Sequence, residues 1–533
     1  MRLYRGVIPV LLWATILSAA NEDSRVFNVR KYGAKGDGRT LDTRAIQKAV
    51  DRCSQSGGTV LLPAGTYLSG TIRLKSKVTL HIGEGATLLG SAALSDYPEI
   101  IGSGASYNDI FLRHSLLFAE NEHDIAIIGP GTIDGQGGQF PVVNAEKPHR
   151  YKNRPYILRM IGCKNVRVEQ IRMQNSAMWM QHYLGCENLT LRGLNVYNHC
   201  NRNNDMVDVD GCRNVLISDC IADTDDDAIT LKSTSALACE NIAIQNCTVS
   251  SHCNAVKCGT ESIGGFKNIV ISNIVITPSR HAKKIYGDYA GLGGIVLTLV
   301  DGGSLSGITI ANVRIVGTRV PIFIRLGDRG RTVRPDMPKA ATGTCEDIAI
   351  SHVLATGAGP IGCSITGLPG HMVKNIRLSD IRIQFAGGAV SADSIWQVEE
   401  KPEEYPESTL FGTLPSYGLF CRHVQGLSLH GIHFDLVEPD ARPALIADDV
   451  VDLSLDAVRA ASGPATRHLY EFRNVRQAFF TGLHVTEPIP LLAKIAGPAS
   501  ADIQWGVVVR AHIGRLYTVV DGAAATAVSY ENH

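Results

Sequence analysis

A chain of 533 residues with 51 basic and 51 acidic side chains carries no formal net charge, so it offers no electrostatic footprint for nucleic acid or an anionic membrane surface. Its 53 glycines and aromatic content of 6% argue against a long helical domain and for short strands joined by tight turns. Neither a Pro/Ser-rich linker nor a low-complexity tract divides it.

The first 20 residues stand apart. A basic start (Met1 to Arg5), an apolar run (Gly6 to Leu17) and small residues at Ser18 to Ala20 read as a secretory signal peptide. The apolar run is too short to span a bilayer comfortably, so the expected location is periplasmic or secreted. Thirteen cysteines, an odd number, make a poor disulfide framework. Cys163, Cys186, Cys212 and Cys239 share one repeat position and Cys220 and Cys247 another, so they read as buried free thiols. Cys253 and Cys258, with four residues between them on an alternating strand, do not suit zinc.

From Cys163 onward, segments of one design recur: CKNVRVEQIRM, CENLTLRGLNV, CRNVLISDCIA, CENIAIQNCTV and FKNIVISNIVI. Asn188, Asn214, Asn241 and Asn268 are separated by 26, 27 and 27 residues, and looser copies follow, from SGITIANVRI to QGLSLHGIHF. A fixed period of this length marks a solenoid, and alternation with period 2 makes it a β-solenoid. Because a solenoid grows by adding coils, one elongated domain accounts for residues 21–505, with 506–533 as a C-terminal cap or tail.

The repeat places three stretches one above another: NDMVDVDG from Asn204, DDAITLKS from Asp226 and CNAVKCGT from Cys253. Val207, Ile229 and Val256 then form one inward column, and Val209, Leu231 and Cys258 the next. The residues between them, Asp208, Thr230 and Lys257, point outward, since successive strand side chains face opposite sides. Asp205, Asp227 and Asn254 form a column just before the strand with Asp226 beside it, and the preceding coil adds Trp179 and His182. Residues distant in sequence thus converge on one acidic patch. Three readings stay open for it. Aspartates cap turns through their own backbone, oxygen-rich clusters bind calcium, and clustered carboxylates split their pKa values into an acid and a base, as glycoside hydrolysis requires.

The Asn203-Asn204-Asp205 triplet before MVDV, followed by DDDAITLKS on asparagine-marked coils, resembles the Asn-Thr-Asp and Gly-Asp-Asp signatures of glycoside hydrolase family 28, the polygalacturonases and related pectin-degrading enzymes. FNVRKYGAKGDGRTLDTRAIQKAVDRC is similar to the family's amino-terminal cap, and GPGTIDGQG and NSAMWMQHYLGCENLTL continue the likeness to about Asn273. The resemblance implies an all-β, right-handed parallel β-helix with a short N-terminal capping helix. It implies an inverting hydrolase in which Asp226 is the general acid, Asp205 and Asp227 hold and deprotonate water, and Asp208 supports them. A carbohydrate substrate is implied, with no cofactor and no metal.

Two signatures depart from the family. Asn254 stands where Gly-His-Gly would place its histidine, and GIVLTL (Gly294 to Leu299) replaces the Arg-Ile-Lys that grips a galacturonate carboxylate. Unbranched polygalacturonate is therefore not the expected substrate. Lys257 or Arg325 could supply the cation, and both also fit a solvated strand face. Trp179 and His182 read as substrate contacts through their place beside the carboxylates. Three interruptions of the repeat, residues 281–294, 327–343 and 386–417, are expected to border a groove. A polysaccharide lyase on the same scaffold and a non-catalytic carbohydrate-binding helix are the competing classes.

Overall fold

The computed structural model describes residues 25–100, 106–107, 113–142, 151–334, 336–391 and 398–530. The expected leader lies outside these residues. Among them are 39 strands and one α-helix, Thr43–Ser54. The helix buries Ile46, Ala49, Val50 and Cys53, a spacing that puts all four on one face, and it closes the first coil as the expected cap.

Every strand ladder runs parallel, and the ladders form three faces of a β-helix. One face stacks Lys164–Glu169, Glu187–Arg192 and Arg213–Ser218. A second stacks Arg172–Gln174, Asn195–Asn198 and Ile221–Thr224. The third stacks Gln181–Leu184, Val207–Asp210, Ile229–Ser233, Asn254–Ser262 and Gly293–Leu299. Coils continue to the last described residue, Tyr530: Ile513–Val520 lies on Ile489–Ala496 and Val528–Tyr530 on Ala501–Trp505. The final segment therefore adds strands to the stack and is no loose tail.

Alternation places the core. Val207, Val209, Ile229, Leu231, Val256 and Cys258 are all buried in it. The expected cysteine column is there as well, and all thirteen cysteines are free. The Cys186 backbone N–H donates to Cys212 Sγ at 3.2 Å and the Cys212 thiol donates to the Tyr183 carbonyl, so the thiols bond backbone groups inside the coil.

The asparagine repeat turns the corner between faces. Asn188, Asn214, Asn241 and Asn268 all hold left-handed backbone, with φ of 55–58°, a region that asparagine tolerates better than most residues. Each donates its side-chain amide to the asparagine below, with Asn241 Nδ2 3.1 Å from Asn214 Oδ1 and Asn268 Nδ2 3.2 Å from Asn241 Oδ1. Asn241→Ala should cost about 1–2 kcal/mol, because it loses two of these bonds and the left-handed preference. Asn241→Gly should cost less, since it restores the backbone freedom alone. Urea unfolding midpoints of the two variants check the order.

Candidate active site

Three aspartates in a row, Asp225 to Asp227, divide between two sides of one turn. Backbone bonds set the columns: Met206 N–H donates to Asp227 O at 3.1 Å and Ala228 N–H to Asn254 O at 2.9 Å, which stacks Asp205, Asp227 and Asn254 as expected. Asp205, Asp226 and Asp227 line one cavity on the third face, shared with Trp179, Asn203, Lys232, Glu261, Arg331 and Tyr405. Asp225 is turned away from it, bonded to His252 and to the backbone of Ile285 and Tyr286.

The three cavity aspartates differ in their partners. Asp227 is an ion pair with Lys257, Oδ2 to Nζ 2.8 Å, and its Oδ1 accepts from Asn254 Nδ2 at 2.7 Å. Asp226 is half-buried and accepts, among the described residues, from the Asn203 amide at 3.3 Å and the Asp227 N–H at 3.0 Å. Burial, then the Asp227 charge, pushes its carboxyl up to about 6, with Lys257 and Lys232 pulling the other way. Asp205 is buried, and burial together with Asp208 and Asp226 raises its carboxyl well above the usual range. Lys232 sits 3.4 Å from Asp208 and 3.6 Å from Glu261, with its ammonium 4.7 Å from the Trp179 ring centre. Burial alone would raise Glu261, but Lys232, Arg331 and Arg329 outweigh it and hold its carboxyl below the usual range.

A match to the family model described as Glycosyl hydrolases family 28 spans residues 53–405, about two thirds of the chain. The chain belongs to glycoside hydrolase family 28. It is 31% identical over 240 residues to a probable polygalacturonase of Vitis vinifera, covering 43% of this chain and 47% of that one. It is 41% identical over 131 residues to an exo-poly-alpha-D-galacturonosidase of Dickeya chrysanthemi, covering 23% of this chain and 21% of that one. These matches span about half or less of the relatives' lengths. A hyperthermoactive exopolygalacturonase from Thermotoga maritima superposes with a TM-score of 0.60 at 21% identity, over 77% of this chain and 91% of that one, and shares the right-handed parallel β-helix.

Against that family background, several expected site residues are placed otherwise. Asp208, Thr230 and Lys257 do pair in register along the outward column, yet at 0%, 0% and 1% exposure they are no surface patch, because other groups roof them. Lys257 neutralises Asp227 and is not a free cation for substrate. Asn254 is also buried, spanning Asp227 and Glu407 Oε1 at 3.0 Å. Asp208 lies beneath the cavity beside Lys232. His182 is a packing residue and no substrate contact: it is fully buried, 3.1 Å from Asp210 Oδ2 and stacked on Tyr156. Arg325 is likewise structural, donating to the carbonyls of Gly367, Glu400 and Lys401 and so anchoring the long insertion from below. Trp179 does line the cavity.

Sequence reasoning missed Lys232, Glu261, Arg331, Tyr405 and Glu407. Lys232 was within reach, since it lies two residues beyond Thr230 on the same outward side and pairs in register with Asp210. Arg331, Tyr405 and Glu407 come from insertions without a repeat to register them, although the interruptions at 327–343 and 386–417 are the ones expected to border the site. In the coil Gly293–Leu299, Val296 packs outward with Phe323, Leu414 and Phe420 under the long insertion.

Proposed function

We propose that this protein is an exported, inverting glycoside hydrolase acting on a pectic or related saccharide, and that unbranched polygalacturonate is not its main substrate. The observation that carries the reading is the convergence of Asp205, Asp226 and Asp227 on one cavity with only Asp227 tied to a cation. Asp226, partly exposed and with no ion pair among the described residues, is the acid that protonates the leaving oxygen on this reading. Asp227, paired with Lys257 at 2.8 Å, is the base on this reading, with Asp205 holding the water beside it. Lys257 and Lys232 are both engaged in ion pairs, which suits hydrolysis better than the cationic base a lyase needs. Export rests on the pattern of the first 20 residues, and among the described residues no helix is long and apolar enough to cross a membrane.

Substrate choice follows from where the cations sit. The coil Gly293–Leu299 carries no basic side chain, while Lys232 and Arg331 line the cavity around Glu261. Tyr107, Tyr151, Trp179 and Tyr405 add aromatic walls on which a sugar can stack. A pectic linkage with an acidic sugar on the Arg331 side and a neutral leaving group fits this charge arrangement. Screening pectic and other polysaccharides for new reducing ends tests the activity, and the anomer of the first product, followed by NMR, tests inversion. Release of reducing ends from unbranched polygalacturonate as the best substrate would overturn the specificity, and release from none would overturn the activity.

Arg331 is the rim cation on this reading, with its side chain 23% exposed and 2.8 Å from Glu261. Arg331→Gln should raise KM about tenfold for a substrate carrying a carboxylate, the value of one charge-assisted hydrogen bond, and leave a neutral analogue nearly unchanged. Steady-state kinetics on a matched pair of substrates checks this.

A further inference from the structure

Asp225, the aspartate that plays no part in the cavity, sits in a second cluster on the other side of the same turn. Its Oδ1 accepts from His252 Nδ1 at 2.9 Å and from the Ile285 N–H at 2.7 Å, and its Oδ2 from the Tyr286 N–H at 3.0 Å. His199 Nδ1 stands 4.0 Å from the same Oδ1. The other nitrogen of that ring, Nε2, is 2.8 Å from Asp223 Oδ1. An ionised carboxylate only accepts, so Nε2 carries a proton, and in the singly protonated ring Nδ1 presents a lone pair. That lone pair is buried, has no hydrogen-bond partner among the described residues, and faces a second acceptor.

The two acceptors stand 4.0 Å apart, and a closing of about half an ångström brings them to the edge of roughly 3.3–3.6 Å that a tetrahedral ion with bonds of about 2.0–2.2 Å spans. A histidine that ligates through one nitrogen while the other donates to a carboxylate is the usual oriented metal ligand, with Asp223 here in the supporting place. Ligand atoms of His199, Asp225 and His252 all lie within 4.8 Å of one another. These residues follow Asn195–Asn198 and Ile221–Thr224 and close to the end of Cys239–Ser251, so they occupy one corner of three successive coils.

We propose that His199, Asp225 and His252 bind one divalent transition-metal ion, zinc being the best match to two imidazoles and a carboxylate. His252 gives up its Nδ1 proton on binding, as metal ligation ordinarily requires. The ion ties three coils and the 285–286 segment together behind the turn that carries Asp226 and Asp227.

The full chain, stripped with a chelator, is titrated calorimetrically with ZnCl2 and with MgCl2, and separately with CoCl2 while visible absorption is followed. The expected result is one zinc per chain, bound at least about tenfold tighter than magnesium, and a tetrahedral cobalt spectrum without a thiolate charge-transfer band. His199→Gln and His252→Gln should lose the tight zinc, while Cys253→Ser and Asp226→Asn keep it. Zinc uptake no stronger than magnesium overturns the proposal. A thiolate band, or zinc lost in Cys253→Ser and kept in His199→Gln, also overturns it by placing the ion on Asp226, Asp227 and Cys253. The cobalt spectrum of the unmutated chain decides between the two sites even if a substitution unfolds the protein.

Discussion

Asp226→Asn is expected to cut turnover at least about a hundredfold while the chain keeps its fold, because a positioned acid contributes about 10² to 10⁴ to rate. The substitution is gentle on structure. Among the described residues Asp226 makes no ion pair; it is half-buried, and its Oδ1 accepts the Asp227 N–H at 3.0 Å, a bond that an amide oxygen accepts equally well. What the amide cannot do is deliver a proton to a leaving oxygen. Initial rates of reducing-end release set against circular dichroism separate the two effects. Turnover near that of the unmutated enzyme, on a substrate it cleaves well, would remove Asp226 from the acid's role. A loss of fold together with activity would instead make Asp226 a structural residue like its neighbour Asp225.

Legibility in the sequence follows the physics of the repeat. Alternation fixes which side chains of Val207–Asp210 and Ile229–Ser233 face inward, and a constant coil length fixes which residues stack, so core and carboxylate column can both be read from spacing. The partner of an outward side chain is not determined by either rule. Lys257 reads as a free cation on a strand face, but Asp227, 30 residues earlier, captures it. Arg325 fails for a related reason: the carbonyls it binds belong to an insertion, and insertions have no register. The roof over the site, with Tyr405 and Glu407, is illegible on the same ground. The triple aspartate is ambiguous because a turn, unlike a strand, does not fix where successive side chains point, and only coordinates separate Asp225 from the other two.

Lys257→Met is expected to destabilise the protein by about 3–5 kcal/mol, the cost of leaving one member of a buried ion pair without its partner. Lys257 is 1% exposed and its Nζ lies 2.8 Å from Asp227 Oδ2, with the Tyr405 hydroxyl 3.5 Å away. Asn254 still donates to Asp227, but an amide supplies no charge. Removing the Asp227 charge as well should recover much of the loss, so Lys257→Met with Asp227→Asn is expected to be more stable than Lys257→Met alone. Activity should follow a different rule. If Lys257 keeps the base anionic, both variants lose kcat on acidic and neutral substrates alike, and the stability gained by the double variant restores none of it. If Lys257 grips a substrate carboxylate instead, the single variant raises KM for acidic substrates only and leaves the urea midpoint nearly unchanged. The geometry favours the first outcome, because all of the short contacts of the ammonium are to groups of the protein that already lie around it.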